Sequence, residues 1–227
     1  MASKQYRTLF GMIVFPTRLI KLSAWALILA GVLVTFVNLI FTPQILAIED
    51  FAQSAASMAW AWRLGLASLT GILLVISAFG ILALFEKKQP GTLRGLLLFV
   101  ILIIGNILLV AHEWNQWLFV RDLAIHFPET LNQLEDLESF SLFDLSAAIG
   151  TLGFFLSWLI TAILLLWGRA VNKWTGILII AGIIASPFLA AIFSYVVAAI
   201  ISSTLLGIGW ILLGRSTLQL ANALTIR

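Results

Sequence analysis

The stretch WTGILIIAGIIASPFLAAIFSYVVAAIISSTLLGIGWILLG, from Trp174 to Gly214, contains no charged residue. A single helix of about forty residues would be roughly 60 Å long, which is about twice the hydrocarbon thickness of a bilayer. The stretch must therefore hold two membrane-spanning helices joined by a short turn, which we place near residues 193–195. Pro187 is expected to kink or end the first of these two helices.

The whole chain has the composition of a membrane protein. Apolar residues make up 62% of its 227 residues and charged residues 10%, whereas soluble domains have roughly 45–50% and 25%. The sequence has no cysteine, which excludes disulfides, thiolate nucleophiles and cysteine-based metal sites. The basic residues lie in short segments beside apolar stretches, where membrane topology and anionic lipid explain them without nucleic acid.

Charge alternates in sign between the segments that separate six apolar stretches. One set of segments is basic, at about +10, and holds Lys4, Arg7, Arg18, Lys21, Lys87, Lys88, Arg94, Arg169, Lys173, Arg215 and Arg227 against Glu86. The other set is acidic, at about −7, and holds Glu49, Asp50, Glu113, Asp122, Glu129, Glu135, Asp136, Glu138 and Asp144 against Arg63 and Arg121. Because cationic side chains resist translocation, the basic set is predicted to face the cytoplasm. We therefore expect a multi-pass plasma-membrane protein with both termini in the cytoplasm.

The predicted fold class is all-α: a polytopic integral membrane protein, built as a six-transmembrane-helix bundle with an outer amphipathic helix between spans three and four. The predicted spans cover residues 18–41, 62–85, 93–111, 145–167, 174–192 and 196–214. Residues 1–17 are predicted to be an inner interfacial leader and residues 215–227 an inner tail. Residues 113–144 are predicted to form the outer loop, and residues 1–227 a single membrane domain.

Local signals mark several helix ends. In the segment EKKQPGT, residues 86–92, the Pro-Gly pair predicts a turn and Thr92 a cap for the next helix. Asp50 is a plausible N-cap ahead of span two. In the outer loop, apolar residues recur every third position among acids, which predicts an amphipathic helix starting near Pro128. These apolar residues are Leu131, Leu134, Leu137 and Phe140.

Small residues follow one face of several spans and predict close helix packing, because helices in lipid associate where their backbones can approach. These residues are Ala67 and Gly71 in span two, Ser146, Gly150, Gly153, Ser157 and Thr161 in span four, Gly182, Ser186 and Ala190 in span five, and Ala199, Ser203 and Gly207 in span six. The alternative interpretation is that the serine and threonine side of span four lines a polar path. The candidate residues for a solute path are Asn106, Ser157, Thr161, Ser186 and Pro187.

The central parts of the spans carry no acid or base, which disfavours an ion-coupled mechanism. Asn38 and Asn106 are the strongest polar groups at depth, and we expect both to be satisfied by hydrogen bonds between helices. Neither a catalytic residue nor a cofactor is predicted.

Two histidines are candidates for a metal site. His112 and Glu113 match the start of the zinc-protease helix motif, but Gln116 stands where that motif has its second histidine. A site that combines His112, Glu113 and His126 with an acid such as Asp122 is chemically possible. We favour instead an interfacial His–Glu pair and a solvated loop, and therefore predict no metal.

The sequence is compatible with three functions. The leading prediction is a non-enzymatic accessory or scaffold subunit of a membrane assembly. The second is a transporter or carrier of a neutral or lipidic solute, and the third is a membrane enzyme or metal-binding protein that uses the outer His and Glu residues. The predicted partners are the lipid bilayer and a membrane-protein partner or a second copy of the chain, with no nucleic acid.

The predicted orientation can be tested by labelling single cysteines, since the natural chain has none. A cysteine at Lys87 should react with a membrane-impermeant maleimide only after the membrane is permeabilised. A cysteine at Glu135 should react in intact cells. Labelling of both positions from the same side would contradict the six-span topology.

Overall fold

The computed structural model describes residues 15–135 and 142–225. Within these ranges the chain forms nine α-helices and one π-helical turn, Gln116–Val120, that joins α4 to α5. The α-helices are α1 (Thr17–Leu46), α2 (Phe51–Ala56), α3 (Met58–Lys88), α4 (Leu93–Asn115), α5 (Arg121–His126), α6 (Pro128–Glu135), α7 (Leu142–Trp167), α8 (Lys173–Ile192) and α9 (Tyr195–Thr225). Six helical runs are long and apolar enough to cross a membrane. The chain is therefore an all-α, multi-pass membrane protein, and the predicted six-span bundle is confirmed.

The six long helices form a closed ring. Going round it, α1 packs against α3, α3 against α4, α4 against α7, α7 against α8, α8 against α9, and α9 against α1. Successive long helices run in opposite directions, so the ring has two distinct ends. We call the end that carries α2, α5 and α6 the short-helix end, and the end that carries Lys87 and Arg169 the basic end.

Glycines bring the helix backbones of the ring together, as the small-residue pattern predicted. A Cβ on Gly31 of α1 would lie 2.5 Å from the carbonyl oxygen of Gly207 of α9. Gly105 of α4 packs directly against Ser157 of α7. The Ser202 hydroxyl of α9 donates a hydrogen bond to the carbonyl of Gly182 in α8. These contacts give dispersion and hydrogen bonding between helices that cannot associate through hydrophobic burial alone.

Two tryptophans fill the interior of the ring. Trp158 of α7 and Trp210 of α9 are both fully buried, with ring centroids 5.0 Å apart. Phe154 packs edge-on against Trp210. Buried side chains toward the basic end, including Phe85 and Leu213, belong to the same core. That half of the ring is consequently closed by packed side chains.

The first helix extends beyond the predicted span, which ended at residue 41. It continues to Leu46, with Pro43 inside its last turns. Proline has no N–H, so the carbonyl of Leu39 loses its helical hydrogen bond. This is one bond of a thirty-residue helix, and the carbonyl of Pro43 itself accepts a hydrogen bond from Ala47 N. Continuing the helix also keeps Thr42 and Ile45 turned toward the protein, where both are buried.

Two further helices extend into segments predicted as loop or tail. α4 continues through the π-helical turn into α5, so the run from Leu93 to His126 is helical where a loop was expected from residue 113. α9 likewise continues from the predicted boundary at residue 214 to Thr225, because Thr217 and Leu220 are buried against the bundle. In both cases, side chains beyond the apolar stretch pack against the rest of the bundle, and this packing extends the helix.

The predicted turns and caps are confirmed in the described residues. α8 ends at Ile192 and α9 begins at Tyr195, with Pro187 inside α8 rather than at its end. Gly91 has a φ of 66°, which glycine adopts at little cost, and Thr92 caps α4 through the backbone N–H of Gly95. The Asp50 carboxylate accepts a hydrogen bond from Gln53 N and caps α2.

The short-helix end has a small core of its own. α6 begins at Pro128, as predicted, and its Leu131 is buried with Val120 and Ala124. Leu134 is instead exposed, and Leu137 and Phe140 lie outside the described residues. Asn132 connects α6 to α2 by donating to Asp50 Oδ2 and accepting from Ala52 N.

The contact between α1 and α9 predicts different outcomes for two Gly→Ala substitutions. Gly207→Ala places a methyl group against the backbone of Gly31, and such overpacking costs about 1–3 kcal/mol. Gly65→Ala is the matched control, because its new methyl group would meet Trp117 at 3.5 Å, an ordinary contact. Both variants gain similar helix propensity. We expect thermal unfolding in detergent to show a midpoint several degrees lower for Gly207→Ala and not for Gly65→Ala; equal midpoints would contradict the contact.

Candidate functional site

A cavity of about 500 Å³ lies inside the ring at the short-helix end. All six long helices contribute to its wall, and its volume falls within the range of about 300–1,000 Å³ typical of small-molecule sites. The lining residues are Val34, Val37, Asn38, Thr42, Ile45, Leu46, Trp60, Arg63, Ala67, Thr70, Leu109, His112, Glu113, Gln116, Thr151, Phe154, Phe155, Ser186, Tyr195, Ala199, Ser202, Ser203, Leu206 and Trp210.

Polarity changes with depth along the cavity. On α9 the lining residues run from Tyr195 to Trp210, which at about 1.5 Å per residue corresponds to a depth of roughly 20 Å. The lining residues nearest the short-helix end include Arg63, Glu113 and Gln116. The deepest part is formed mostly by apolar and aromatic side chains, namely Val34, Phe154, Leu206 and Trp210. The cavity thus offers a polar region above an apolar floor.

Hydroxyl and amide groups on the middle of the wall are satisfied within the protein. Thr70 Oγ1 donates to Leu66 O at 2.8 Å, and Ser203 Oγ donates to Ile200 O at 3.1 Å. Asn38 Nδ2 donates to Val34 O, while its Oδ1 accepts from Thr42. Asn38 thus bonds within α1, not between helices as predicted. Such back-bonding leaves these donors occupied and makes the middle of the wall less polar than its sequence suggests.

The polar region of the cavity is lined by one basic and one acidic side chain, Arg63 and Glu113. Arg63 of α3 is half-buried and near enough for its charge to act on both His112 and Glu113 of α4. Glu113 is buried, with 9% of its surface exposed. In the described part of the chain these two charged residues form no ion pair within 4 Å. The formal charges of this basic and this acidic side chain cancel.

His112 is held from its own helix. Gln116 Nε2 lies 3.0 Å from His112 Nε2, and because an amide nitrogen can only donate, the imidazole nitrogen accepts. A neutral His112 then carries its proton on Nδ1. That Nδ1 is buried and has no partner among the described residues.

Four buried polar atoms on lining residues have no hydrogen-bond partner in the described part of the protein. They are Trp60 Nε1, His112 Nδ1, Glu113 Oε2 and Trp210 Nε1. A buried polar group without a partner costs about 1–3 kcal/mol, and such groups in a folded protein call for an explanation. Four further buried atoms without a partner, on Ser68, Asn106, Arg121 and Thr161, belong to residues that do not line the cavity. The four lining atoms are groups with which a polar or partly polar occupant can form hydrogen bonds.

The predicted solute-path residues do not lie together. Ser186 lines the cavity, whereas Pro187 is exposed on α8. Ser157 donates to Phe154 O and packs against α4, and Thr161 is fully buried. Asn106 is buried below the cavity, where its Oδ1 accepts a hydrogen bond from Trp158 Nε1 at 3.0 Å. The expected interhelical bond of Asn106 is thus present at Oδ1, whereas its buried Nδ2 has no partner among the described residues.

The candidate metal ligands do not lie together either. His112 and Glu113 line the cavity, while His126 pairs with Asp122 on the exposed side of α5. His126 follows His112 by fourteen residues of helix, a distance of roughly 20 Å at about 1.5 Å per residue. Among the described residues no three His, Asp or Glu side chains come together as metal ligands do.

Sequence reasoning did not identify this cavity, although some of its residues carry a signal. Arg63 is a cation in a mostly acidic set of segments. It lies seven residues after Ala56, the last residue of α2, and within the first two turns of α3. Asn38 and Thr42, and also His112 and Gln116, stand four residues apart and so share a helix face. That these faces meet around one space depends on the order of helices in the ring.

The bond between Asn106 and Trp158 predicts a difference between two tryptophan variants. Trp158→Phe and Trp210→Phe remove similar volume from fully buried sites, but only the first leaves Asn106 Oδ1 without its donor. We expect Trp158→Phe to be less stable than Trp210→Phe by about 1–3 kcal/mol. Equilibrium unfolding in mixed micelles measures the difference, and equal stability would show that the bond contributes nothing.

Comparison of the chain with protein-family models, with curated proteins and with solved structures found no match. What this membrane protein binds is therefore inferred from the chemistry of its own cavity.

Proposed function

We propose that this protein is a membrane carrier that binds a small neutral amphipathic solute in the cavity at its short-helix end. The observation that carries the proposal is the cavity itself, with a polar region around Arg63 and Glu113 above a floor formed by Leu206 and Trp210. An amphipathic molecule matches both parts. The unpartnered atoms on the lining support an occupant that makes hydrogen bonds.

Charge favours a neutral solute. Among the described lining residues, Arg63 and Glu113 contribute one positive and one negative charge. A solute with net charge would bring an unbalanced charge into a region shielded from water, which is costly. A neutral or internally balanced molecule avoids that cost.

A carrier must also separate the two sides of the membrane. The packed pair Trp158 and Trp210, with Phe154, lies between the cavity and the basic end. This packing supports a state in which the cavity communicates with one side at a time. Release on the other side requires these aromatic side chains to move apart.

The competing prediction is an accessory or scaffold subunit. Such a subunit needs small-residue faces on its outer surface to pack against a partner. Several of these faces are already used within the chain, at Gly31 with Gly207 and at Gly105 with Ser157. The carrier proposal therefore accounts for more of the structure, and the scaffold role stays a prediction.

The proposal predicts that filling the cavity removes its ligand. Ala199 lines the cavity on α9, whereas Ala191 is exposed on α8. Native mass spectrometry of protein purified from its membrane should show a bound small molecule on the wild type and on Ala191→Phe. Ala199→Phe should lose most of it, because the phenyl ring occupies part of a cavity of about 500 Å³.

Two outcomes count against the carrier. The first is a stoichiometric protein partner with no small molecule on the wild type, which would favour the scaffold subunit. The second is equal occupancy in Ala199→Phe and Ala191→Phe, which would place the ligand outside the cavity. Unfolding midpoints of both variants establish that each is folded.

A further inference from the structure

The solute can be specified further from a second space beside the cavity. A groove of about 320 Å³ lies between α4 and α7, lined by Leu108, Ala111 and His112 on one side and by Leu145, Ile149 and Gly150 on the other. Ala111, Leu145 and Ile149 are exposed on the outer surface of the bundle. In a membrane-spanning bundle such an apolar surface faces lipid chains.

His112 lies on the wall of both spaces. Its side chain fits against α7 because Gly150 has no side chain: a Cβ there would lie 2.5 Å from the Cβ of His112. The hydrogen bond to Gln116 is within α4, so in the described residues no bond ties the imidazole to α7. The imidazole therefore separates groove from cavity and can rotate without breaking a bond between helices.

The polar region of the cavity selects the head of the solute. Glu113 Oε2 is buried without a donor, and a hydroxyl group on the solute would supply one. The neutrality of the Arg63 and Glu113 pair disfavours an anionic or cationic head. A cavity of about 500 Å³ accommodates one acyl chain but not a two-chain phospholipid.

We propose that the cavity binds a neutral single-chain lipid with a hydroxyl-bearing head, which donates to Glu113 and enters from the bilayer through the groove at His112. This inference rests on the proposed carrier function and adds the class of solute and its route. The solute then comes from the membrane and not from the aqueous phase.

The head-group inference is tested with the full chain in phosphatidylcholine nanodiscs. Monodecanoylglycerol should bind and raise the unfolding midpoint. Methyl decanoate, which has no hydroxyl group, and decanoate, which is charged, should bind at least about tenfold more weakly, as expected for one hydrogen bond to a charged group. Equal binding of the three probes would overturn the hydroxyl-bearing neutral head.

Variants at Glu113 locate the interaction. Glu113→Leu removes the acceptor and should weaken monodecanoylglycerol binding by about 10- to 100-fold. Glu113→Gln keeps an amide oxygen as acceptor and should retain most of the affinity. Glu129→Leu, at an exposed acid on α6, is the control. If Glu113→Leu does not fold, the selectivity among the three probes still decides the proposal.

The route is tested by blocking the groove. Ala111 lines the groove but not the cavity, and Ala111→Trp should slow loading from vesicles that contain monodecanoylglycerol while leaving the dissociation constant unchanged. Val100→Trp places the same side chain three turns away on α4, at another exposed position, and should load at the wild-type rate. An unchanged loading rate in Ala111→Trp would overturn the lateral route.

Different results would contradict the carrier proposal and the proposal about the class of its solute. If Ala199→Phe abolishes binding of the probes but Glu113→Leu does not affect it, the carrier stands and the assigned head group is wrong. If no probe binds to the wild type and no small molecule copurifies with it, both proposals are wrong.

Discussion

The structure depends on one constraint: inside a bilayer each backbone N–H and C=O must find its partner within the protein. Helices satisfy this demand, and they continue for as long as their side chains find packing. The continuation of α1 past Pro43 and of α4 through a π-helical turn into α5 are two consequences. The helices therefore extend past the apolar stretches that the sequence marks, and polar side chains near their ends, such as Thr42 and Gln116, line the cavity.

Close backbone contact then decides where the ring is tight and where it is open. Gly31 against Gly207, and Gly105 against Ser157, hold adjacent helices together. Toward the basic end, large side chains such as Trp158 and Phe85 fill the interior. Toward the short-helix end, small residues such as Ala199 face the interior and leave a cavity. Small residues thus have two roles. Opposite a neighbouring helix they allow close packing, and opposite the interior of the ring they leave space for the cavity.

Local chemistry in the sequence was enough to predict several features correctly. The break near Phe193, the Pro-Gly turn before α4, the Asp50 cap and the start of α6 at Pro128 depend on neighbouring residues alone. The candidate path residues were harder to predict, because Asn106 and Ser186 are both polar residues within apolar stretches of the sequence. One bonds to Trp158 in the core and the other lines the cavity. That difference arises from partners more than forty residues away.

The sequence by itself determined the fold class and the number of spans, because a bilayer imposes a length and a polarity that can be read along one chain. Tertiary structure decided the functional candidate. Arg63 on α3 and Glu113 on α4 are fifty residues apart in the sequence, yet both line one cavity with Trp210 of α9. Helix order in the ring brings them together, and that order follows from contacts between distant glycines and their partners, which hydropathy and charge along the chain do not encode.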